Sequence, residues 1–378
     1  MKIAFVFDQI LPSIDTSTMQ FVNTVSALSN NGCECTLFIP ASNCDEPPTV
    51  QQIKDYYHVD GEFSIELIHS IFPGPRVPEK VLHPLICATL LQKRLKHFDM
   101  VYTRNIPAVA SCLCARIPVL YDTYRPWPAQ YKAMVPVFKS FFASKKFIGM
   151  TLHSEYSRQR YIDAGFDPNR LCTAHNGFNA ALYEPVLSKK EAREKLGLPV
   201  DAKIAVYSGM FDMKKGLDHL IMLAKARPDV TFLFIGANDG GEKTPFEVEA
   251  ELLDNCILTG WKRHDELPAY LYASDVVMIP PITPPNNTVL PIKIYSYIAS
   301  RRAIYAPATS DTSELLEHNR NAWLVTPDNP EAELEGFSEL IDNPELLDKL
   351  GAAAAEDAKN LTWDARAKTI LRFVESRE

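Results

Sequence analysis

The sequence has no run of about 18 uncharged apolar residues, the length that a membrane-spanning helix requires. Its first apolar run, residues 2–7, is too short for a signal peptide. Positive charge is also scarce, because 39 lysines and arginines stand against 47 acidic residues. The resulting net charge of -8 argues against sequence-independent binding to nucleic acid. We therefore expect a cytoplasmic protein without a nucleic-acid partner.

No Cys-x-x-Cys pair occurs among the eight cysteines, so the usual spacing of a zinc site is absent. Cys33 and Cys35 are two residues apart, as are Cys112 and Cys114, and residues at this spacing share one face of a strand. Scattered cysteines of this kind indicate reduced thiols rather than a disulfide framework.

Short apolar runs alternate with helical patterns along all 378 residues, a length that fits two domains. Repeated strand–helix–strand units predict parallel sheets with crossover helices. Strands are predicted at residues 2–7, 35–39, 65–68, 100–103, 119–121 and 147–152, and then at 204–208, 230–235, 256–259, 276–279, 304–305 and 323–325. In the second half, helices are predicted at 217–226, 265–273, 291–300, 313–318 and 330–343.

The predicted fold class is α/β, with two Rossmann-like doubly wound parallel-sheet domains facing across a cleft. The pattern restarts after residue 177, so residues 1–177 and 178–362 are the expected domains. Residues 363–378 are expected to form a helix that packs back toward the first domain. Ligands bind beyond the carboxyl ends of such strands, and we expect a ligand between the two domains.

Two loops of the second half have the composition of anion sites. Residues 207–216, Tyr-Ser-Gly-Met-Phe-Asp-Met-Lys-Lys-Gly, join a strand to a helix, and a lysine beside a helix start suits a phosphate. The alternative is an ordinary turn with solvated lysines. Residues 280–293 carry five prolines, and Pro291 suits the first position of a helix, so the amides of residues 288–292 would bind a second anion. The alternative is a stiff connection capped by Asn287 or Thr288.

Two segments of the first half carry candidate substrate contacts. Residues 118–125, Pro-Val-Leu-Tyr-Asp-Thr-Tyr-Arg, deliver Asp122 and Tyr124 to the carboxyl end of a strand, although Asp122 alternatively caps the next turn. Residues 127–147 interleave aromatic and aliphatic side chains with lysines. We favour a buried helix whose lysines extend to solvent, and a peripheral membrane contact is the alternative. The lysines are Lys132, Lys139, Lys145 and Lys146.

Several motifs follow one another in the second half. Residues 175–179 read His-Asn-Gly-Phe-Asn, and residues 265–276 contain Glu-Leu-Pro and Ala-Ser-Asp-Val. Residues 290–299 read Leu-Pro-Ile-Lys-Ile-Tyr-Ser-Tyr-Ile-Ala, and Ser-Glu-Leu-Leu at 313–316 precedes Asn-Ala-Trp-Leu-Val at 321–325. The order of these motifs, and the spacing between Gly209 and Lys215-Gly216, resemble those of the GT-B glycosyltransferases of family four, the group 1 glycosyltransferases.

The resemblance implies a glycosyltransferase that retains anomeric configuration, with an acceptor-side first domain and a donor-binding second domain. It implies a nucleotide-diphosphate sugar as donor, a glycan or lipid-linked acceptor, and no tightly bound cofactor. It also implies metal independence, and the sequence contains no Asp-x-Asp. The expected catalytic residues are Lys215, Tyr124 and Asp122. The expected donor site comprises Gly209, Met210, Lys214, Lys215, Gly216, Gly236, Trp261, Lys262, Arg263, Asn287, Thr288, Val289, Leu290, Pro291, Ile292, Lys293 and Ser296.

Four positions depart from the family pattern. Met210 stands where an arginine is usual, and Tyr124 stands where a histidine is usual. Ser296 stands where a glutamate is usual, and Thr288 occupies the position of that glutamate's partner residue. These departures favour a non-catalytic partner of an active transferase as one alternative, since fold does not guarantee function. A nucleotide-sugar epimerase is the other alternative, and it would need acidic and histidine groups for proton transfer.

Overall fold

Each half of the chain is built around a sheet of parallel strands. The computed structural model describes residues 1–41, 48–69, 92–238, 241–283 and 290–377. The chain divides into two units, of which the first comprises Met1–Asn179 and Thr362–Glu378 and the second comprises Ala180–Leu361. The C-terminal segment therefore belongs to the same unit as the N-terminus.

The first unit contains a seven-stranded sheet with the order β3-β2-β1-β4-β5-β6-β7, and its strand pairs are parallel. Strand β1 lies inside the sheet and is apolar and buried from Ile3 to Val6, as strands covered on both faces generally are. The strands are β1 (Lys2–Val6), β2 (Glu34–Ala41), β3 (Phe63–His69), β4 (Met100–Thr103), β5 (Val119–Thr123), β6 (Phe147–Leu152) and β7 (Leu171–Thr173).

Helices cover both faces of this sheet. Ile3 and Phe5 pack with the C-terminal helix on one face, and Ala4 and Val6 pack with Phe138 on the other, because neighbouring strand residues point to opposite sides. The helices are α1 (Thr16–Asn30), α2 (Val50–Tyr57), α3 (Gln92–Leu95), α4 (Ile106–Cys114), α5 (Trp127–Gln130), α6 (Val135–Ala143), α7 (Glu155–Asp163) and the C-terminal α15 (Trp363–Glu375), with 3-10 turns at Lys132–Met134 and Pro168–Arg170.

The second unit contains a six-stranded parallel sheet with the order β10-β9-β8-β11-β12-β13. The strands are β8 (Lys203–Ser208), β9 (Val230–Ile235), β10 (Cys256–Leu258), β11 (Val276–Met278), β12 (Ala303–Pro307) and β13 (Trp323–Val325). The helices are α8 (Lys189–Leu196), α9 (Leu217–Ala226), α10 (Pro245–Glu251), α11 (Leu267–Ala273), α12 (Lys293–Ala299), α13 (Pro330–Ile341) and α14 (Pro344–Ala358), with 3-10 turns at Ala180–Tyr183, Met213–Lys215 and Thr312–Glu314.

All twelve predicted strands are present, with ends within two residues of their expected positions. Two helix predictions are wrong in detail. Residues 313–318 do not form a helix, because only a 3-10 turn at Thr312–Glu314 occurs there and the Thr312 hydroxyl hydrogen-bonds to nearby backbone carbonyls instead. The helix expected from Pro291 begins at Lys293.

Candidate functional site

The loop that follows β8 lies against the loop that follows β9. The Gly209 amide donates to the Ile235 carbonyl at 2.9 Å, and the Phe211 amide donates to the Ala237 carbonyl at 3.0 Å. A Cβ atom on Gly236 would lie 1.9 Å from the Gly209 carbonyl oxygen, so only glycine fits at this contact. The Gly236 amide also donates to the Gly260 carbonyl at 3.0 Å. Three loops at the carboxyl edge of the sheet, including the one that carries Trp261, are thereby brought together.

A short turn then presents the predicted lysines to solvent. Met213–Lys215 form a 3-10 turn, and the Asp212 carboxylate caps it by accepting from the Lys214 amide at 3.0 Å. Gly216 follows with a left-handed φ of 73° and leads into α9. A Cβ on Gly216 would lie 2.4 Å from the Ile282 side chain, so this turn also requires glycine. Lys214 and Lys215 are both exposed.

Lys293, the first residue of α12, extends to the same loop. Its Nζ lies 3.8 Å from the centroid of the Tyr207 ring. It also lies so close to Gly209 that a Cβ built there would be 3.0 Å away. Removal of the ammonium group from water holds the pKa of Lys293 well below its usual range, and the positive charge of Lys215 lowers it further. The structure thus places Lys293 against Gly209, and Lys215 is near enough for its charge to act on Lys293.

Two buried tyrosines fix the loop beneath these lysines. The Ser208 amide donates to the Tyr297 hydroxyl at 2.9 Å, and the Tyr207 hydroxyl donates to the Met210 carbonyl at 3.1 Å. Burial raises the pKa of Tyr297 to about 12, so its hydroxyl is neutral. The backbone from Ser208 to Met210 is therefore held by side chains that do not titrate near neutral pH.

The remaining residues predicted for the donor site differ in exposure and in whether their side chains already contact other residues. Trp261 is 62% exposed, and the Nζ of Lys262 lies 5.8 Å from the centroid of the Tyr270 ring. Arg263 pairs with Asp265 at 2.6 Å, and the hydroxyl of Ser296 hydrogen-bonds to the Tyr183 phenol. Leu290 is buried, Pro291 and Ile292 are half-buried, and Met210 is 40% exposed. Asn287, Thr288 and Val289 lie outside the described residues.

Asp122, at the carboxyl end of β5, is the centre of a buried charge network in the first unit. It accepts from Arg104 Nε at 2.6 Å, from Thr151 Oγ1 at 2.8 Å, and from Arg366 of α15 at 2.7 Å. The carboxylate has no solvent exposure. Burial alone would raise the pKa of Asp122, but His153, Arg104 and Arg366 outweigh that effect and hold it well below its usual range. Direct contact of Asp122 with an acceptor stays a prediction.

His153, which directly follows β6, completes this network. Its Nε2 lies 3.1 Å from the Asp122 carboxylate and its Nδ1 lies 3.3 Å from the Asn176 side-chain amide. Burial lowers the pKa of His153 to about 4 despite the opposing effect of Asp122. The ring is therefore neutral at pH 7, with Nε2–H donating to Asp122 and Nδ1 accepting from Asn176. Tyr124 is half-buried, and its ring centroid lies 6.1 Å from that of His153.

Sequence reasoning missed four residues of this network: Arg104, Thr151, His153 and Arg366. Arg104 and His153 each follow the last residue of a strand, so the rule that selected Asp122 also applies to them. Arg366 lies on a helix 244 positions away from Asp122, and no local pattern connects the two.

The basic segment 127–147 directs its apolar side chains into the core. Phe138, Phe141 and Phe147 are buried in the first unit, and Trp127 and Phe142 pack against them. Lys132, Lys139, Lys145 and Lys146 are exposed. The apolar side chains of this segment therefore pack in the core of the first unit, as expected for a buried helix. Within the described part of the chain, no helix has the length and apolar character needed to cross a membrane.

Comparison with known proteins shows what the chain is similar to. The family model for glycosyl transferases group 1 matches residues 188–357. D-inositol 3-phosphate glycosyltransferase of Streptomyces scabiei is 25% identical over 246 residues, which are 60% of this chain and 52% of that protein. The putative colanic acid biosynthesis glycosyl transferase WcaI of Escherichia coli is 30% identical over 172 residues, 44% of this chain and 41% of that protein. The chain thus spans about half the length of the curated relatives it matches. The resemblance to group 1 glycosyltransferases that the sequence indicates is thus confirmed for residues 188–357.

Solved structures match the whole chain. Anabaena Alr3699/HepE in complex with UDP and glucose has a TM-score of 0.74 at 17% identity, and 100% of each chain is covered. Sucrose-phosphate synthase of Thermosynechococcus elongatus has a TM-score of 0.75 at 16% identity, with 99% of this chain and 98% of that chain covered. The predicted α/β fold with two parallel-sheet units, the GT-B class, is confirmed.

Proposed function

We propose that the protein is a retaining glycosyltransferase that moves a sugar from a nucleoside-diphosphate donor to a glycan or lipid-linked acceptor. The observation that carries this proposal is the pair of lysines at the carboxyl edge of the second sheet. Lys215 is exposed at the end of the Gly209–Gly216 loop, and Lys293 lies against the start of the same loop. Among the described residues, no carboxylate pairs with Lys293. One lysine on this loop and one lysine against it suit a diphosphate.

This arrangement fits the chemistry of glycosyl transfer. Cleavage of the bond between the sugar and the phosphate oxygen builds negative charge on the leaving diphosphate. Cations already positioned at that oxygen stabilise the transition state without reorganising during the reaction. Tyr207 and Tyr297 hold the loop in place, so Lys215 and Lys293 would meet the charge as it develops. We propose that they do so in place of a metal ion, with no tightly bound cofactor.

The donor nucleotide would extend toward Trp261. Its exposed indole follows Gly260, which is hydrogen-bonded to the loop of Gly236. An exposed aromatic ring offers a stacking surface for a nucleobase. Uridine diphosphate sugars are the first donors to test, because Alr3699/HepE was solved with UDP-glucose.

The acceptor would bind the first unit near Tyr124, whose ring lies beside the buried Asp122–His153 network. The relatives named above suggest a phosphorylated cyclitol or a polysaccharide intermediate as acceptor classes. A lipid-linked acceptor would bring the cytoplasmic protein to a membrane. The exposed lysines of residues 127–147 would then contact anionic head groups from the surface, since the apolar side chains are already packed inward.

A panel of nucleoside diphosphates and their sugars tests this proposal by thermal stabilisation. A ligand at a hundred times its dissociation constant stabilises the folded state by about 2.7 kcal/mol, which raises the melting temperature by several degrees. We expect one nucleotide to do so, and its sugar to be transferred to an acceptor in the presence of EDTA. Stabilisation by none of the nucleotides would favour the non-catalytic alternative. Isomerisation of the donor sugar without acceptor would favour the epimerase.

A further inference from the structure

A buried carboxylate in the second unit connects the elements around the donor loop. Glu333, in the first turn of α13, has no solvent exposure. Its carboxylate accepts from Nδ1 of His219 at 2.9 Å and from the Asn329 amide at 3.0 Å. A carboxylate removed from water is costly unless hydrogen bonds compensate for the lost solvation, so these two partners hold the side chain of Glu333 in one position.

His219 links this carboxylate to the loop that carries Lys215. It lies in the first turn of α9, and its amide donates to the carbonyl of Gly216, the residue after Lys215, at 3.3 Å. Only 19% of the His219 side chain is exposed. Since a carboxylate accepts hydrogen bonds, Nδ1 of His219 carries the hydrogen in its bond to Glu333. The start of α9 is thereby attached to the start of α13.

The segment before α13 holds a third loop of the same sheet edge. Asp328 directly precedes Asn329, whose amide is bound by Glu333. The Asp328 amide donates to the Pro281 carbonyl at 2.9 Å, and the Asp328 carboxylate accepts from the Thr283 amide at 3.0 Å. The position of Glu333 therefore also fixes the segment to which the loop after β11 is bound.

The loop after β11 contacts the donor loop through Ile282. Its side chain would lie 2.4 Å from a Cβ on Gly216, so the two loops are in close contact. Together with the bonds of His219, Glu333 and Asp328, this contact completes a closed cycle that starts and ends at Gly216. The cycle joins the loops after β8, β11 and β13, and a change in one member displaces the turn that presents the lysines.

We propose that His219 and Glu333 are positioning residues that hold Lys215 where it binds the donor diphosphate. This inference rests on the proposed function, which assigns Lys215 to that diphosphate. An exposed lysine is placed by the turn that carries it, and Gly216 is the last residue of this turn. Misplacement of a binding group by about 1 Å can cost a large factor in rate even when the altered residue is remote.

Calorimetric titration with UDP tests the pair through two substitutions of Glu333. Glu333→Leu removes the acceptor, and apolar replacement of a buried ionic group is often neutral for stability. Glu333→Gln keeps a side-chain oxygen, and a single oxygen, Oε1, already accepts from both His219 and the Asn329 amide. Leu340→Ala, two turns further along α13 in the buried core, is the control for lost stability. His219→Leu removes the same bond and is measured as well, in case Glu333→Leu does not fold.

We expect Glu333→Leu and His219→Leu to bind UDP about tenfold more weakly than the wild type, a factor within the usual range for residues of one network. Glu333→Gln should recover most of the affinity, and Leu340→Ala should bind UDP normally. In a Lys215→Ala background, Glu333→Leu should cause little further loss, because the pair acts through that lysine.

Three results would overturn the inference and leave the proposed function intact, since the wild type would still bind UDP. These are unchanged affinity in both leucine variants, an equal loss in Glu333→Gln or Leu340→Ala, and a full tenfold loss from Glu333→Leu in the Lys215→Ala background. If no nucleoside diphosphate of the panel binds the wild type, the proposed function fails and the inference fails with it.

Discussion

Lys215 and Lys293 carry the same kind of group in different surroundings. Lys215 is exposed and follows a 3-10 turn, whereas Lys293 lies against the Tyr207 ring at the start of a helix. An exposed side chain contributes little to folding, so its removal isolates its effect on a ligand. A half-buried lysine contributes to packing through its stem as well. The two residues therefore call for different substitutions.

Lys215→Ala is expected to reduce glycosyl transfer roughly 10²–10³-fold, the usual effect of losing one donor to a developing negative charge. The melting temperature should stay at the wild-type value, because Lys215 is exposed. Turnover with a uridine diphosphate sugar and a thermal melt measure the two effects. Lys225→Ala is the matched control, since it removes an exposed lysine that pairs with Glu249 instead. Near-normal turnover of Lys215→Ala would mean that Lys215 does not contribute to catalysis.

At the scale of secondary-structure elements, buried strands were predictable because each is a short apolar run closed by turn residues. β7, Leu171–Thr173, was not predicted, although β10, β11 and β13 have the same length and were. Residues 313–318 have helix-like periodicity, but threonine side chains there bind the backbone in a competing arrangement. The donor loop was predictable from its glycines and lysines, whereas the contact of Lys293 with Tyr207 joins residues 86 positions apart and has no local signal.

The contact between the loops after β8 and β9 depends on a missing side chain at Gly236. Gly236→Ala would place a Cβ 1.9 Å from the Gly209 carbonyl oxygen, at a φ of 151° that other residues rarely adopt. We expect a loss of about 1–3 kcal/mol in stability together with weaker UDP binding, because Gly236 contacts the loop that carries Lys214 and Lys215. Urea unfolding and calorimetry measure these effects. Gly241→Ala is the control, since a Cβ there meets no atom within 4 Å. Equal behaviour of the two variants would contradict the proposed coupling of the loops.

At the scale of the whole molecule, the two ends of the chain meet in one unit. Helix α15 packs on α1, and Asn31 donates to Asp364 at 2.8 Å. Arg366 of α15 enters the core and donates to Asp122 at 2.7 Å. The final helix therefore supplies a charge that the buried carboxylate requires, and removal of one partner from such a network is strongly destabilising. The first unit folds with this network only when its C-terminal helix is in place.

This network makes the stability of the first unit depend on pH through His153. Its pKa is about 4 in the folded protein and about 6.5 in the unfolded chain, so between these values only the unfolded chain binds the proton. Stability contributed by the neutral ring is complete above about pH 6.5 and falls as the pH drops toward 4, by up to about 3 kcal/mol. Asp122, whose pKa is depressed below 3.8, loses its contribution only at still lower pH.

His153→Gln should flatten the pH dependence of the unfolding free energy between pH 4 and 6.5, in addition to lowering stability through lost hydrogen bonds. The slope separates the two effects, since a lost hydrogen bond shifts the whole curve but a titrating group changes its gradient. Urea unfolding in a Trp261→Phe/Trp323→Phe background reports on the first unit alone, because the other two tryptophans, Trp127 and Trp363, belong to it. His97→Gln, at an exposed histidine of the same unit, should keep the wild-type slope. A His153→Gln slope equal to that of His97→Gln would mean that the buried ring does not control the acid stability of this unit.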